Sequence, residues 1–170
     1  MAGTINKIKK NKHMKKTTKI ISLILVIVLV CGCKRDGWLD WKVENQLWLQ
    51  ENAKKEGVVT TPTGLQYKCI DAGWDKSARP DDAKIVTIDY EGKLINGYVF
   101  DANQEYAGYV NSFVPGFAEG LKKMYQFGEY EFYIPYELAY GESGVGKEGN
   151  DNFIPPYSTL IFRVYLHRID

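Results

Sequence analysis

Histidine and cysteine are scarce in this chain, and their scarcity excludes several kinds of chemistry. The 170 residues include two histidines and three cysteines. After position 33 only Cys69 and His167 remain, almost a hundred positions apart. A disulfide framework, a Cys–His catalytic pair and a metal site of His or Cys ligands therefore find no support, and we expect no metal and no cofactor. Because Cys69 lies in the alternating segment LQYKCI, the sequence favours a buried strand cysteine.

Acidic residues are absent from the first 35 positions. Seven lysines lie among the first twenty residues, Lys34 and Arg35 follow, and the first acidic residue is Asp36. From Asp36 onward the chain has 13 Lys and Arg against 21 Asp and Glu, a formal net charge of −8. A domain with this balance lacks the basic surface that phosphate backbones require, so the sequence predicts no nucleic-acid partner.

The apolar run near the N-terminus is too short to span a bilayer. It reads IISLILVIVLV over residues 20–30, eleven residues where a transmembrane helix needs about twenty. Because lysines precede it, the run is typical of a signal peptide, which we assign to residues 1–32. Met14 begins MKKTTK and is a second candidate for the start of the chain.

The end of this run resembles the box at which bacterial lipoproteins are cleaved and lipidated. It reads Val30-Cys31-Gly32-Cys33, and Gly32 directly precedes Cys33. The resemblance implies a lipid on Cys33 that anchors the protein to a membrane of the bacterial cell envelope, on its periplasmic or surface face. An ordinary exported protein cleaved nearby and an uncleaved anchor are the alternatives.

One loop nearly spells a phosphate-binding motif. Gly141, Gly146 and Lys147 fill G-x-x-x-x-G-K, but Glu148 stands where the motif has Ser or Thr. A phosphate loop also needs a buried parallel strand before it and a helix after it. Here the upstream segment EYEFYIP alternates, and the downstream segment KEGNDNFIPP contains a glycine and a proline pair. The sequence therefore predicts no nucleotide partner and indicates that this loop has a role other than phosphate binding.

Period-two alternation of apolar and polar residues predicts about five strands. The alternating segments are residues 65–69, 86–90, 130–134 and 160–166. The segment LINGYVF adds a hairpin signal, with Asn96-Gly97 suited to a type I′ turn.

A single segment between the hairpin and residues 130–134 has helical periodicity instead. In VPGFAEGLKKM, Phe117, Leu121 and Met124 recur at i, i+4 and i+7, and Pro115 stands at the opening. The fold class that follows is α+β, a twisted antiparallel sheet covered by one short helix. Residues 33–60 are expected to form a tether containing a short helix or partly ordered stalk that stops at Gly57.

Four motifs occur in one order over about a hundred residues: VTIDYEGKLINGYVFD, FVPGFAEGLKKM, IPYELAYG and FIPPYSTLIFRVYL. Together they resemble the FKBP-type peptidyl-prolyl cis-trans isomerases over residues 61–170. The resemblance implies a twisted sheet wrapped around one short helix, isomerase activity (EC 5.2.1.8) on proline-containing polypeptides, and binding of macrolide inhibitors. With the lipid anchor, the expected role is to assist folding of exported proteins. A proline-segment binding module or chaperone with little isomerase activity is the alternative.

The same resemblance implies a shallow proline pocket between sheet and helix. The catalytic positions are Tyr90, Phe100, Asp101 and Tyr140, and the substrate-binding positions are Phe113, Val114, Phe117, Phe153, Ile154 and Phe162. The Tyr140 hydroxyl and the Ile154 backbone amide are the donors expected to hold substrate carbonyls.

The pocket positions depart from the family pattern at three places. Phe117 stands where the family most often has tryptophan at the pocket floor, and Phe113 and Phe153 are larger than the usual aliphatic residues. The segment ANQEYAGYVNS aligns ambiguously, so either Tyr106 or Tyr109 fills the aromatic position there.

Overall fold

The structure is a computed structural model, and it describes residues 37–170. The expected signal peptide at residues 1–32, the second candidate start at Met14 and the expected lipidation site at Cys33 lie outside the described residues. Neither of the two helices in residues 37–170 combines the length and the apolar character needed to cross a membrane.

Residues 37–170 contain two α-helices, six strands and two short 3₁₀ turns. In chain order the α-helices and strands are α1 (Gly37–Asn52), β1 (Val58–Thr60), β2 (Gln66–Asp71), β3 (Ile85–Leu94), β4 (Val99–Tyr109), α2 (Pro115–Leu121), β5 (Glu129–Ile134) and β6 (Leu160–Ile169). The strands form one antiparallel sheet in the order β1-β2-β5-β6-β3-β4. The sequence predicts about five strands, and the sixth is β1, whose three residues are too few to show an alternation.

The core lies between one face of this sheet and α2. The helical periodicity is confirmed, because Phe117, Leu121 and Met124 are all buried against the sheet. The sheet contributes the alternating residues of β3, β5 and β6, such as Ile88 and Phe132, which are fully buried. Burial of each large apolar side chain contributes about 1.5–3 kcal/mol, so α2 is held mainly by this face.

The hairpin between β3 and β4 forms, but its turn type differs from the prediction. The Gly97 N–H donates to the Leu94 carbonyl and the Leu94 N–H donates to the Tyr98 carbonyl, both at 2.9 Å. Of the Asn96-Gly97 pair, only Gly97 has a positive φ, at 86°. A type I′ turn requires positive φ at both residues, so the type I′ prediction is wrong. The loop is instead a turn closed by a glycine in the left-handed region, and the Asn96 side chain accepts from the Tyr98 amide.

Cys69 is exposed, so the prediction of a buried strand cysteine is also wrong. It does lie in a strand, β2, opposite Tyr130 of β5. The neighbouring strand β1 pairs with β2 only from Gln66 to Lys68 and therefore ends before Cys69. The alternation identified the strand, but it did not show that this end of the sheet is left uncovered.

The expected N-terminal helix is present as α1, and it is packed onto the domain. It ends at Asn52, earlier than predicted, and Gly57 with its φ of 79° lies in the turns that follow. Its most buried residues are polar, Asn45 and Asn52, each 1 % exposed. The Asn52 side chain donates to the Gln66 side chain at 3.0 Å, and Gln66 in turn donates to the Leu49 carbonyl. Because these polar amides interrupt the apolar residues of the contacting face, the apolar stripe of the helix is irregular.

Candidate functional site

A cleft of about 320 Å³ opens between α2 and the strands β3, β4 and β6. Its lining is mostly aromatic and consists of Tyr90, Asp101, Tyr106, Ser112, Phe113, Val114, Phe117, Tyr140 and Phe162. Seven of the ten residues predicted for the proline pocket are in this set, and they come from five separate parts of the chain. The size and the apolar lining suit a small ring such as that of proline.

The floor of the cleft is Phe117, which is 2 % exposed. Its ring stacks on Phe113 with centroids 4.8 Å apart and meets the Phe162 ring edge-on at the same separation. Tyr90 and Phe132 approach it edge-on at 6.2 and 5.6 Å. These contacts hold the floor ring in one orientation, since each aromatic pair adds about 0.5–1.5 kcal/mol beyond area burial.

A glycine in β3 makes room for the wall of the cleft. A Cβ at Gly92 would lie 2.6 Å from a Phe162 ring atom and 2.8 Å from a Phe100 ring atom. Phe100 is buried behind Phe162, with the ring centroids 5.5 Å apart, and does not itself line the cleft. Phe100 therefore supports the wall rather than facing a ligand.

The polar groups of the cleft gather at its edge. The Tyr90 hydroxyl donates to the Asp101 carboxylate at 2.9 Å, so Asp101 has a tyrosine partner. Burial, and then Asp101, raise the pKa of the Tyr90 phenol above its ordinary value. Burial, and then Asp101, also raise the pKa of the Tyr140 phenol. Both hydroxyls therefore stay protonated at neutral pH, and Tyr140, whose hydroxyl has no acceptor among the described residues, can donate to a ligand.

Phe153 and Ile154 do not line the cleft. Phe153 packs on Trp38 of α1, with ring centroids 5.8 Å apart, and borders a separate cavity of about 410 Å³. Ile154 is buried, and its N–H donates to the Val145 carbonyl at 3.0 Å. The expectation that the Ile154 amide holds a substrate carbonyl is therefore wrong, because its proton is already used within the loop.

Another backbone amide is better placed for that role. Val114 lines the cleft between the 3₁₀ turn Val110–Ser112 and α2. Its N–H donates to no acceptor in residues 37–170. A sequence pattern cannot reveal this amide, since every residue except proline carries one.

The structure also decides between the two ambiguous tyrosines. Tyr106 lines the cleft, edge-on to Tyr90 and to Phe113 at about 6 Å, whereas Tyr109 is 53 % exposed. Ser112 joins the lining without having been predicted. Irregular pairing between β3 and β4 near Ile88 and Tyr90 sets which tyrosine faces inward, and an alternation pattern does not contain that information.

The glycine-rich segment that resembles a phosphate loop belongs to residues 139–159, which we call the rim loop. It begins beside the cleft at Tyr140 and returns through Ile154 to β6. The residues after Lys147 form turns rather than a helix. The Val145 and Ile154 amides each donate to the other residue's carbonyl, at 2.8 and 3.0 Å, and this pair closes the loop on itself.

A larger depression of about 820 Å³ lies on the other face of the sheet. Charged residues such as Asp89, Glu91 and Arg163 line it, together with residues 102–104 of β4. Its charged side chains do not suit an apolar ring, so we place the candidate site at the smaller cleft, whose side chains are mostly aromatic.

Two family models match this chain. The family model for "FKBP-type peptidyl-prolyl cis-trans isomerase" matches residues 76–167. The model for "Domain amino terminal to FKBP-type peptidyl-prolyl isomerase" matches residues 40–69, which include most of α1. The first model alone spans more than half of the chain and contains all ten predicted pocket positions.

Two relatives and one solved structure illustrate the similarity. The probable FKBP-type peptidyl-prolyl cis-trans isomerase FkpA of Neisseria meningitidis serogroup B is 43% identical over 75% of this chain and 46% of its own length. The outer membrane protein MIP of Legionella longbeachae is 39% identical over 74% of this chain and 52% of its own length. The crystal structure of FkpA from Escherichia coli has a TM-score of 0.72 at 31% identity, covering 92% of this chain and 71% of that one. The chain thus spans about half the length of both relatives.

Proposed function

Since the chain belongs to the FKBP-type peptidyl-prolyl cis-trans isomerase family, we propose that it catalyses cis-trans exchange of Xaa-Pro bonds and assists the folding of exported proteins at a bacterial membrane. The observation that carries the proposal is the aromatic cleft, whose floor is Phe117 and whose edge carries the free Tyr140 hydroxyl. Proline-containing polypeptides are its proposed substrates, and macrolide inhibitors are proposed to occupy the same cleft.

The reaction needs neither a nucleophile nor a cofactor. Rotation about an amide costs about 18–20 kcal/mol because the twisted state loses resonance, so uncatalysed Xaa-Pro exchange takes about tens to hundreds of seconds. An enzyme accelerates the exchange by binding the twisted amide more tightly than either planar form. The twisted carbonyl is less polar than the planar one, and an apolar aromatic cleft therefore favours it over water.

The polar groups at the edge of the cleft are proposed to orient the substrate peptide. In the proposed complex the proline ring rests on Phe117, and the Tyr140 hydroxyl and the Val114 amide donate to substrate carbonyls. Asp101 keeps Tyr90 oriented through their hydrogen bond and is the one carboxylate among the described residues of the cleft. Groups fixed in this way need no rearrangement as the amide twists.

The decisive experiment measures cis-trans exchange in an Xaa-Pro peptide by NMR line-broadening, without a coupled protease. The full chain in detergent solution should accelerate the exchange, and a macrolide inhibitor should abolish the acceleration. Peptide binding without acceleration would instead select the binding-module alternative. Neither binding nor acceleration by folded protein would overturn the proposal.

Within this assay, Tyr140→Phe should lower kcat/KM by about two- to tenfold, the range expected for the loss of one hydrogen bond of about 0.5–1.5 kcal/mol. The fold should be unaffected, because the hydroxyl has no partner among the described residues. Tyr109→Phe is the matched control, since that tyrosine is exposed and outside the cleft. Equal activities of the two variants would remove Tyr140 from the proposed site.

The proposed membrane attachment depends on Cys33. This cysteine directly follows the proposed signal peptide, and one relative carries the words "outer membrane protein" in its name. We expect cells that express the chain to incorporate labelled palmitate into it, and Cys33→Ala to abolish the label while Cys31→Ala retains it. A label lost equally in both variants, or absent from the unsubstituted chain, would contradict the lipid anchor.

A further inference from the structure

One face of α1 contacts the rim loop. Trp38, Trp41, Lys42 and Asn45 are spaced i, i+3, i+4 and i+7, so they share a side of the helix. All four touch residues in or beside the rim loop. The helix is therefore bound to the segment that carries Tyr140, although none of its own residues lines the cleft.

Two tryptophans of α1 contact the rim loop on either side of Ile154. Trp38 packs on Phe153, as described above. The Trp41 indole N–H donates to the Ser158 hydroxyl at 3.0 Å, and that hydroxyl donates to the Pro155 carbonyl at 2.7 Å. Ser158 is 2 % exposed, so this chain of hydrogen bonds is shielded from water.

Lys42 and Asn45 secure the two ends of the loop. The Lys42 ammonium lies 4.5 Å from the ring centroid of Tyr157 and 3.8 Å from the Glu142 carboxylate. The Asn45 side-chain carbonyl accepts from the Thr159 amide at 2.7 Å. The Tyr157 N–H donates to the Gly141 carbonyl at 3.1 Å, which places Lys42 two contacts from Tyr140.

The rim loop is ordered by hydrogen bonds among its own residues, including the Val145–Ile154 pair, and by the contacts from α1. Its 21 residues contain no helix, one isolated bridge at Val145 and Ile154, and a tip that is mostly exposed from Gly146 to Asn152. A loop that contains no helix opens locally more easily when contacts that hold its two ends are removed.

We propose that Trp41 and Lys42 are positioning residues, which act through the rim loop to hold Tyr140 over the cleft and thereby set the affinity for the peptide. In this role α1 is part of the binding apparatus rather than a passive tether. The effect on peptide affinity rests on the proposed function. The ordering of the rim loop can be measured without any activity.

The first test is amide hydrogen exchange on the full chain, comparing Trp41→Phe with Trp48→Phe. Trp48 is the matched control because it lies on the same helix but packs on Tyr133 of β5, with centroids 5.7 Å apart, outside the rim loop. Loss of the indole donor should lower protection of the Tyr157 and Ile154 amides by about two- to tenfold in Trp41→Phe alone. Equal changes in the two variants, or no change in Trp41→Phe, would overturn the proposal.

The second test uses the exchange assay on the same two variants. Trp41→Phe should raise KM by about two- to tenfold with kcat within about twofold, whereas Trp48→Phe should leave both constants unchanged. A fall in kcat without a change in KM would contradict a positioning role through binding. If the unsubstituted chain shows no activity, the proposed function fails, and the hydrogen-exchange comparison still decides this inference.

A second pair of variants covers the case in which Trp41→Phe does not fold. Lys42→Gln removes the cation over Tyr157, and Lys55→Gln removes a comparable cation that lies 5.1 Å from the Trp48 ring centroid. Only Lys42→Gln should lower protection of the Tyr157 amide. An equal loss of protection in both would assign the effect to general destabilisation of α1 and refute the proposal.

Discussion

Replacing Phe117 with alanine should lower the free energy of unfolding by about 3–5 kcal/mol and kcat/KM by about a hundredfold or more. The stability loss follows from the cavity left by a fully packed ring that contacts Tyr90, Phe113, Phe132 and Phe162. The activity loss follows because this ring is the floor on which the twisted amide is proposed to rest. Urea unfolding and the NMR exchange assay measure the two effects separately.

A matched pair of leucine variants distinguishes lost chemistry from lost stability. Phe132 is also a buried ring, 5.6 Å from Phe117, but it does not line the cleft. Phe117→Leu and Phe132→Leu should destabilise the fold similarly, by about 1.5 kcal/mol or less if the core repacks. Only Phe117→Leu should lose more than about tenfold in kcat/KM. If both variants lost kcat/KM to the same extent, the Phe117 ring would contribute to activity only by stabilising the fold.

Much of the fold was predictable because burial imposes a period on the sequence. Residues of β3, β5 and β6 alternate because one face of the sheet packs on α2, and Phe117, Leu121 and Met124 follow the helical period for the same reason. The ordered motifs then indicated seven of the nine residues that line the cleft. Such positions combine a period with a distinctive residue type, so sequence reasoning identifies them.

The failures have a common physical cause, since each depends on contacts between distant segments. Cys69 is exposed because β1 ends before it, and the Ile154 amide is occupied because Val145 lies opposite. The docking of α1 leaves only an incomplete apolar period, because the buried amide of Asn45 shares the contact with Trp38 and Trp41. Whether Tyr106 or Tyr109 faces the cleft depends on irregular strand pairing.

Gly144→Ala should disrupt the rim loop more than alanine at any other glycine of the loop. Gly144 has a φ of 64°, and a Cβ there would lie 2.1 Å from the Ile154 carbonyl oxygen and 2.7 Å from the Pro155 carbonyl carbon. Both atoms are backbone, so the loop must shift rather than a side chain rotate. The shift would break the paired hydrogen bonds between Val145 and Ile154. Peptide binding should weaken as the loop moves away from the cleft.

Gly141→Ala is the control that isolates the steric clash, because Gly141 has the same φ of 64° and a Cβ there would have no neighbour within 4 Å. It should cost only the left-handed strain of a non-glycine residue, about 1–2 kcal/mol. Gly144→Ala should lower the free energy of unfolding by that strain, by about 1–3 kcal/mol of overpacking and by the contribution of the two lost hydrogen bonds. It should also raise KM severalfold more than Gly141→Ala does. Urea midpoints and the Ile154 amide resonance measure the difference. Gly141 adjoins Tyr140. Equal effects of the two substitutions on stability and KM would therefore mean that backbone strain near Tyr140, and not the Gly144–Ile154 contact, determines how well the rim loop supports peptide binding.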